Sequence, residues 1–348
     1  MGSAVDWHAF LDEFRGFGGK ADNVMQRKGA LGMGLFPIDP SKPIDLFVPD
    51  ALLVPIENIS LQDGALAIED DSAFPTGYGN WFRRYQANYS WGAEGRDNTL
   101  AFEEGLKALP EAILTLLKRY GLYNAELRFP GKDPDQELLQ RFLRTRCINR
   151  NGRSVIMPMI DLLNHSPSAK PYDMSGDGIA VAGMHDGEVQ VRYNIFDPLR
   201  RLIGYGFNCV EPMAFSLRCQ IQHQDQEVLV RPGVPDRPLQ PCKISFEDER
   251  MVIQQPLLGS IRSPKVPRTL FLQACQAHKG INANELFDQI HQYNTIGLVN
   301  LLRALEDLEE PIAKQLRNVC LDQLAALSHH FGQRDDLLNS SETSRIST

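Results

Sequence analysis

The sequence predicts an α+β protein, with small antiparallel sheets, a helical insertion among the strands and an all-helical C-terminal part. Three observations predict it. Short apolar runs are punctuated by the turn dipeptides Asn151-Gly152 and Asp186-Gly187. Helix starts with Asp as cap and Pro at the first position recur at Asp133-Pro134 and Asp197-Pro198. From Pro267 the apolar residues take helical spacing, through Leu298, Leu301, Leu302 and Leu305, then Leu316, Val319, Cys320, Leu324 and Leu327. The expected organisation is a first domain over residues 20–258 with the insertion at about 56–140. A helical domain over 259–335 and a disordered polar tail over 336–348 follow.

The bulk composition suits a globular chain. At 348 residues there is room for two domains or for one core with a large insertion, and 43% hydrophobic with 23% charged residues is ordinary. A formal charge of −8 argues against a nucleic-acid grip spread over the surface and favours basic peptide partners. The six cysteines are scattered without a Cys-x-x-Cys pair, which speaks against a structural zinc site and a disulfide framework. Residues 1–10 carry no signal pattern, and no window approaches 18 uninterrupted apolar residues, so no membrane span is expected. The expectation is a cytoplasmic protein with reduced thiols.

In chain order, Trp7, Phe10, Leu11 and Phe14 mark a short amphipathic helix that Gly16, Gly18 and Gly19 end. Gly29 to Phe36 is a glycine-rich approach to a strand, where missing side chains let a ligand or another backbone come close. It lacks the third glycine and following helix of a dinucleotide fingerprint. Ile44 to Pro49 alternates as a strand. The region holding Trp81, Phe82, Tyr85, Tyr89 and Trp91 reads as irregular, its aromatics packing rather than forming a stacking platform. Leu100 to Tyr120 reads as helix broken near Pro110.

The helix after Asp133-Pro134 ends near Thr145-Arg146-Cys147 and brings Arg146 close to the Asn151-Gly152 hairpin. Its plain role there is a solvated cation favourable to the helix dipole. Next comes Val155 to Ser166, an apolar run ending in Asn164-His165-Ser166. Two readings stand: a buried strand with an Asx-type turn, or a strand delivering polar groups to the rim of a core. Strands are expected over Ile179–Met184 and Glu188–Tyr193. The short helix after Asp197-Pro198 is expected to stop at Gly204 and hand over to Tyr205-Gly206-Phe207. Phe215, Leu217, Cys219 and Ile221 alternate, as do parts of Ile244 to Ile253. His329-His330 reads as a solvated helix end, not a metal site.

Three pieces thus stand in order: Gly32-Met33-Gly34-Leu35-Phe36, Asp161-Leu162-Leu163-Asn164-His165-Ser166 and Tyr205-Gly206-Phe207. The ordered set resembles the SET-domain methyltransferases. Within them it is most similar to the subgroup of the Rubisco large-subunit lysine methyltransferase, which includes non-histone lysine and actin-histidine methyltransferases. Thr145-Arg146 matches that subgroup's Ser-Arg element, and the segment Val48 to Pro55 matches the one after its glycine strand. The resemblance covers nearly the whole chain. It implies a fold of small sheets with a pseudoknot, a helical insertion and a helical substrate-binding domain.

It also implies S-adenosyl-L-methionine as methyl donor, S-adenosyl-L-homocysteine as product, and no metal. Carried over, Gly32, Met33 and Gly34 cradle the donor's methionine part through the backbone, and Arg146 meets its carboxylate. Asn164 holds the donor through its side chain and His165 mainly through its backbone. Phe207 lies near the adenine, and Tyr205 is the catalytic tyrosine lining the acceptor channel. Methyl transfer from a sulfonium needs a neutral amine or imidazole, alignment and little else. A narrow aromatic channel lowers a lysine's pKa by disfavouring its charged form, and weak hydrogen bonds orient the methyl group.

Departures bear on the substrate. Asp197-Pro198 stands where the subgroup often has Ser-Asn, and Phe215 is the nearest aromatic where some relatives carry a further tyrosine. The cysteine-rich cluster of histone-specific enzymes is missing. Tyr172 and Tyr193 are channel candidates, with core packing the favoured reading. The expected activity is methylation of a lysine in a non-histone protein or peptide, without nucleic acid or membrane as partner. A protein-histidine methyltransferase and an inactive SET-fold binding module are the alternatives. In this setting the rim reading of Asn164 and His165 overtakes the plain turn, while Asp161 stays a structural hydrogen-bonding residue.

Overall fold

The computed structural model describes residues 6–124, 133–235, 239–278 and 280–328. The expected tail over 336–348 and His329-His330 lie outside the described residues. The chain forms two compact units, one of Met1–Ala101 with Arg128–Asn194, the other of Phe102–Leu127 with Ile195–Thr348. The expected 20–258 segment is thus divided between them. Small sheets of two to four strands accompany the helices in an α+β architecture. No described helix is long and apolar enough to cross a membrane.

In the first unit, Trp7–Gly16 forms the expected helix, started by Asp6, which accepts from the His8 N–H, and burying Phe10, Leu11 and Phe14. Val24–Gly29 and Gly32–Pro37 pair antiparallel, so the glycine-rich stretch is one arm of a hairpin turning at Ala30-Leu31. Gly32 takes φ +96°, a conformation that suits glycine. Ile44–Pro49 is the middle strand of a three-stranded antiparallel sheet between Lys20–Asp22 and Gly178–Gly183. Its Ile44, Leu46 and Val48 point into the core in strict alternation.

Cys147–Arg150 and Arg153–Ile156 form the hairpin that Asn151-Gly152 predicts, both turn residues having positive φ. Helix Pro134–Arg144 starts at Asp133, whose side chain accepts from the Asp135 N–H, with Pro134 at the first position. The expected Glu188–Tyr193 strand shortens to Gln190–Val191.

The region expected to be irregular is corrected: Tyr78–Tyr89 is a helix. Its Tyr78, Trp81, Phe82 and Tyr85 are buried. Phe10 stacks on Trp81 at 4.8 Å and Trp81 on Tyr85 at 5.4 Å between centroids, and the Trp81 indole donates to the Phe10 carbonyl at 3.2 Å. Packing is the role that these aromatics were expected to have.

In the second unit, Cys219–His223, Gln226–Arg231, Arg250–Gln254 and Lys243–Glu247 form a four-stranded sheet in that spatial order. Met213–Phe215 pairs with Leu257–Ser260. Helices Val266–Cys275, Ala283–Leu305 and Pro311–Leu327 supply the predicted helical run. Buried Asn294 accepts from the Leu217 N–H at 2.7 Å and donates to the Ser216 hydroxyl at 3.0 Å, tying the longest helix to the strand segment. Helix Pro198–Tyr205 begins at Asp197, which accepts from the Arg200 N–H at 2.8 Å. It runs through Gly204, expected to stop it, and ends at Gly206, whose φ of +82° breaks the helical path.

Candidate functional site

Asn164 and His165 form a two-residue strand parallel to Gln190–Val191. The Asn164 amide donates to the Met33 carbonyl at 3.1 Å and to Glu188 Oε1 at 2.5 Å. The Val189 N–H donates to the Leu35 carbonyl at 2.8 Å, which fixes Glu188 alongside the glycine strand. A Cβ at Gly34 would stand 2.3 Å from Glu188 Oε1 and 2.9 Å from the Asn164 amide nitrogen. Absence of a side chain at Gly34 is therefore what lets the Asn164 and Glu188 groups lie against the strand.

A buried polar network holds the approach to Asn164. Met159 sits at φ +75°, unusual for a side-chain-bearing residue, and its N–H donates to the Tyr85 hydroxyl at 3.0 Å. Tyr85 donates in turn to Asp161, and the Ser90 hydroxyl donates to the other Asp161 oxygen at 3.3 Å. Burial pushes the Asp161 carboxyl up to about 6, against the lowering effect of the Tyr85 hydrogen bond, the Arg146 charge and Ser90. Asp161 thus has the structural role the sequence assigns it, and Tyr85, its main partner, comes from the missed helix.

Arg146 is half-buried at the end of helix Pro134–Arg144, its guanidinium 4.4 Å from the Phe142 ring centroid. Its Nε is buried with no hydrogen-bond partner. A free solvated cation does not leave a buried donor unmatched, because water would satisfy it. His165 is buried, and its Nδ1 accepts from the Tyr193 N–H at 3.1 Å. Tyr193 donates its hydroxyl to the Leu163 carbonyl, and Tyr172 stacks on Tyr193 at 6.3 Å. Both tyrosines pack against the core of the first unit.

Tyr205, Phe207 and Phe215 belong to the second unit. Tyr205 is the last residue of its helix. The Arg201 guanidinium stands over the rings of Phe196, Tyr205 and Phe207 at 5.0, 4.9 and 5.9 Å. Its Nε donates to Glu211 at 2.7 Å, with the two side chains 0% and 3% exposed. A buried ion pair thereby fixes three aromatic rings around one cation. Phe215 is fully buried in the Met213–Phe215 strand.

The first unit thus brings together Gly32, Met33, Gly34, Asn164 and His165, and the Arg146 charge acts on Asp161 of the same segment. Sequence reasoning missed Glu188, Tyr85 and Arg201. Arg201 carried a local signal, standing one helical turn before Tyr205, as did Tyr85, at helical spacing from Trp81 and Tyr89.

No protein-family profile and no curated protein matches the chain. Solved structures of a SET-domain methyltransferase do. The SET domain of LSMT bound to lysine and AdoHcy is 13% identical with a TM-score of 0.35, over 97% of this chain and 92% of that one. Rubisco LSMT bound to AdoMet is 14% identical, TM-score 0.41, over 99% and 93%. Rubisco LSMT bound to sinefungin and monomethyllysine is 15% identical, TM-score 0.38, over 99% and 93%.

Proposed function

We propose that this chain is an S-adenosylmethionine-dependent protein methyltransferase that acts on a lysine of a non-histone protein. The observation that carries the reading is the bond from the Asn164 amide to the Met33 carbonyl, which joins two of the three motif segments. Bound donor would supply an activated methyl group on sulfur.

The residues present fit the donor. The buried, unmatched Nε of Arg146 calls for an acceptor, and a carboxylate satisfies a guanidinium fork in two places at once. Bare Gly34 lets the Asn164 amide lie against the strand. Asn164 and the main chain of Gly32, Met33 and His165 are assigned to hold the methionine part, and Phe207 to lie near the adenine. Tyr205 is assigned to the acceptor side, where its hydroxyl would orient the reacting methyl group. Transfer requires the acceptor amine to lose its proton first, and aromatic, water-poor surroundings favour the neutral amine. Tyr172, Tyr193 and Phe215 are assigned to the acceptor channel on the motif match alone.

The test is methyl transfer from radiolabelled donor into an extract lacking this protein, with mass spectrometry of the labelled residue. The reading expects labelled lysine, with turnover largely lost in Tyr205→Phe while calorimetry still finds donor binding. Labelled histidine would make the chain a histidine methyltransferase. Donor binding without any transfer would leave a SET-fold binding module.

A further inference from the structure

We propose that Glu188 is the counter-charge for the α-ammonium group of the methyl donor, so that Glu188 and Arg146 together recognise its zwitterionic amino-acid end. This rests on the donor reading given above.

Glu188 follows the bend at Asp186-Gly187, and the backbone just after it is fixed. The Val189 N–H donates to the Leu35 carbonyl at 2.8 Å, and Gln190–Val191 pairs with Asn164–His165. The side chain consequently lies on the face of the glycine hairpin. Its Oε1 takes the Asn164 amide at 2.5 Å and would be 2.3 Å from a Cβ at Gly34, while its Oε2 would be 3.4 Å from a Cβ at Gly29. Bare Gly34 thus leaves room for the carboxylate, whereas the space over Gly29 is taken chiefly by the Phe36 ring, 2.6 Å from a Cβ there.

Among the described residues that carboxylate has no cationic partner: no Lys, Arg or His nitrogen lies within 4.0 Å of it, and its Oε2 has no hydrogen-bond donor. Arg146 presents the opposite deficit, a buried donor with no acceptor. The half-buried Glu188 carboxylate and the buried Arg146 Nε–H, neither with a direct partner, are complementary to one ligand that carries an ammonium and a carboxylate on the same carbon. An α-amino acid is such a ligand.

The donor has a second cation, its sulfonium. An anion placed against sulfur would stabilise the reactant more than the transition state, where positive charge leaves sulfur, and so would raise the barrier. The α-ammonium keeps its charge throughout the reaction. Pairing it contributes to binding without opposing transfer.

S-adenosylhomocysteine is the suitable probe, because the α-ammonium is its only cation besides the weakly basic adenine. Calorimetry with it and with its des-amino analogue, on the full-length chain and on Glu188→Gln, tests the inference. The expected result is a loss of about 10- to 100-fold in affinity for S-adenosylhomocysteine in the variant, the range of a hydrogen bond to a charged group. The des-amino analogue should bind both proteins within about twofold, since it has nothing to offer the carboxylate. Glu188→Asp, which keeps the charge, should recover part of the affinity if the fold is intact. Equal weakening of both ligands, or S-adenosylhomocysteine binding unchanged in Glu188→Gln, overturns the role of Glu188 and leaves the donor site standing. Absence of S-adenosylhomocysteine binding to the unmutated chain overturns the donor reading itself, and this inference with it.

Discussion

Asn164 donates its side-chain amide to the backbone carbonyl of Met33 at 3.1 Å, across 131 residues of sequence. The same nitrogen reaches Glu188 at 2.5 Å. A neutral amide therefore holds the bare edge of a glycine strand and an unpaired carboxylate together. Aspartate at position 164 would lose both bonds and set two negative charges side by side.

Gly34→Ala tests the closeness of that arrangement. The added Cβ must displace the Glu188 carboxylate and the Asn164 amide, which would lie 2.3 and 2.9 Å away. A rigid core would resist such overpacking by about 1–3 kcal/mol, but both displaced groups here are the ends of movable side chains. The donor's affinity, read by calorimetry, is expected to fall by about tenfold or more. Thermal melting should change little by comparison, since the carboxylate can swing toward solvent.

Asp161 gives a pH signature. Its carboxyl is raised by burial from 3.8 in the unfolded chain to about 6 in the fold. Between those values the folded chain holds a proton that the unfolded chain has released. The protonated group's contribution is complete below about 3.8 and is lost as pH rises through about 6. Its size is about 3 kcal/mol, from roughly two pH units at 1.36 kcal/mol each. Urea unfolding of the unmutated chain and Asp161→Asn from pH 4 to 7 should show the stability difference moving against the unmutated chain as pH rises. A difference that stays flat contradicts the assignment.

Tyr85→Phe removes the hydroxyl that donates to Asp161 and accepts from the Met159 N–H. Leaving buried groups unmatched costs about 1–3 kcal/mol. The melting temperature should drop by about 2–10 °C. Donor binding should weaken along with it, because Met159 begins the turn that presents Asn164.

The Arg201–Glu211 pair is expected to behave as a unit. With both side chains essentially without exposure, Arg201→Met leaves Glu211 without this partner and should cost about 3–5 kcal/mol. The double variant Arg201→Met with Glu211→Leu should recover part of that loss. Additive losses in urea unfolding would mean that the pair is not coupled.

Much of this was legible in local chemistry. Asn151-Gly152 announced its hairpin, and Asp133-Pro134 and Asp197-Pro198 announced their helices, because caps and tight turns depend on a few adjacent residues. Helix Tyr78–Tyr89 was missed although Trp81, Tyr85 and Tyr89 fall at helical spacing. It begins at Gly77 with φ +87° and no capping side chain, and Gly79 follows, so its start looks like loop. Gly204 misled because glycine ends helices only where φ turns positive, which happens at Gly206. Glu188 had no local signature. Its meaning arises from pairing Gln190–Val191 with Asn164–His165 and from lying against bare Gly34, both of which are tertiary facts.

The most direct test of the central claim is calorimetric titration of the purified chain with S-adenosylmethionine, repeated with Asn164→Ala. Saturable binding to the unmutated chain is predicted, weakened by about tenfold or more in the variant through loss of the bond to Met33 and of the link to Glu188. A chain that binds no donor, or an Asn164→Ala variant that binds it as tightly as its parent, would contradict the account.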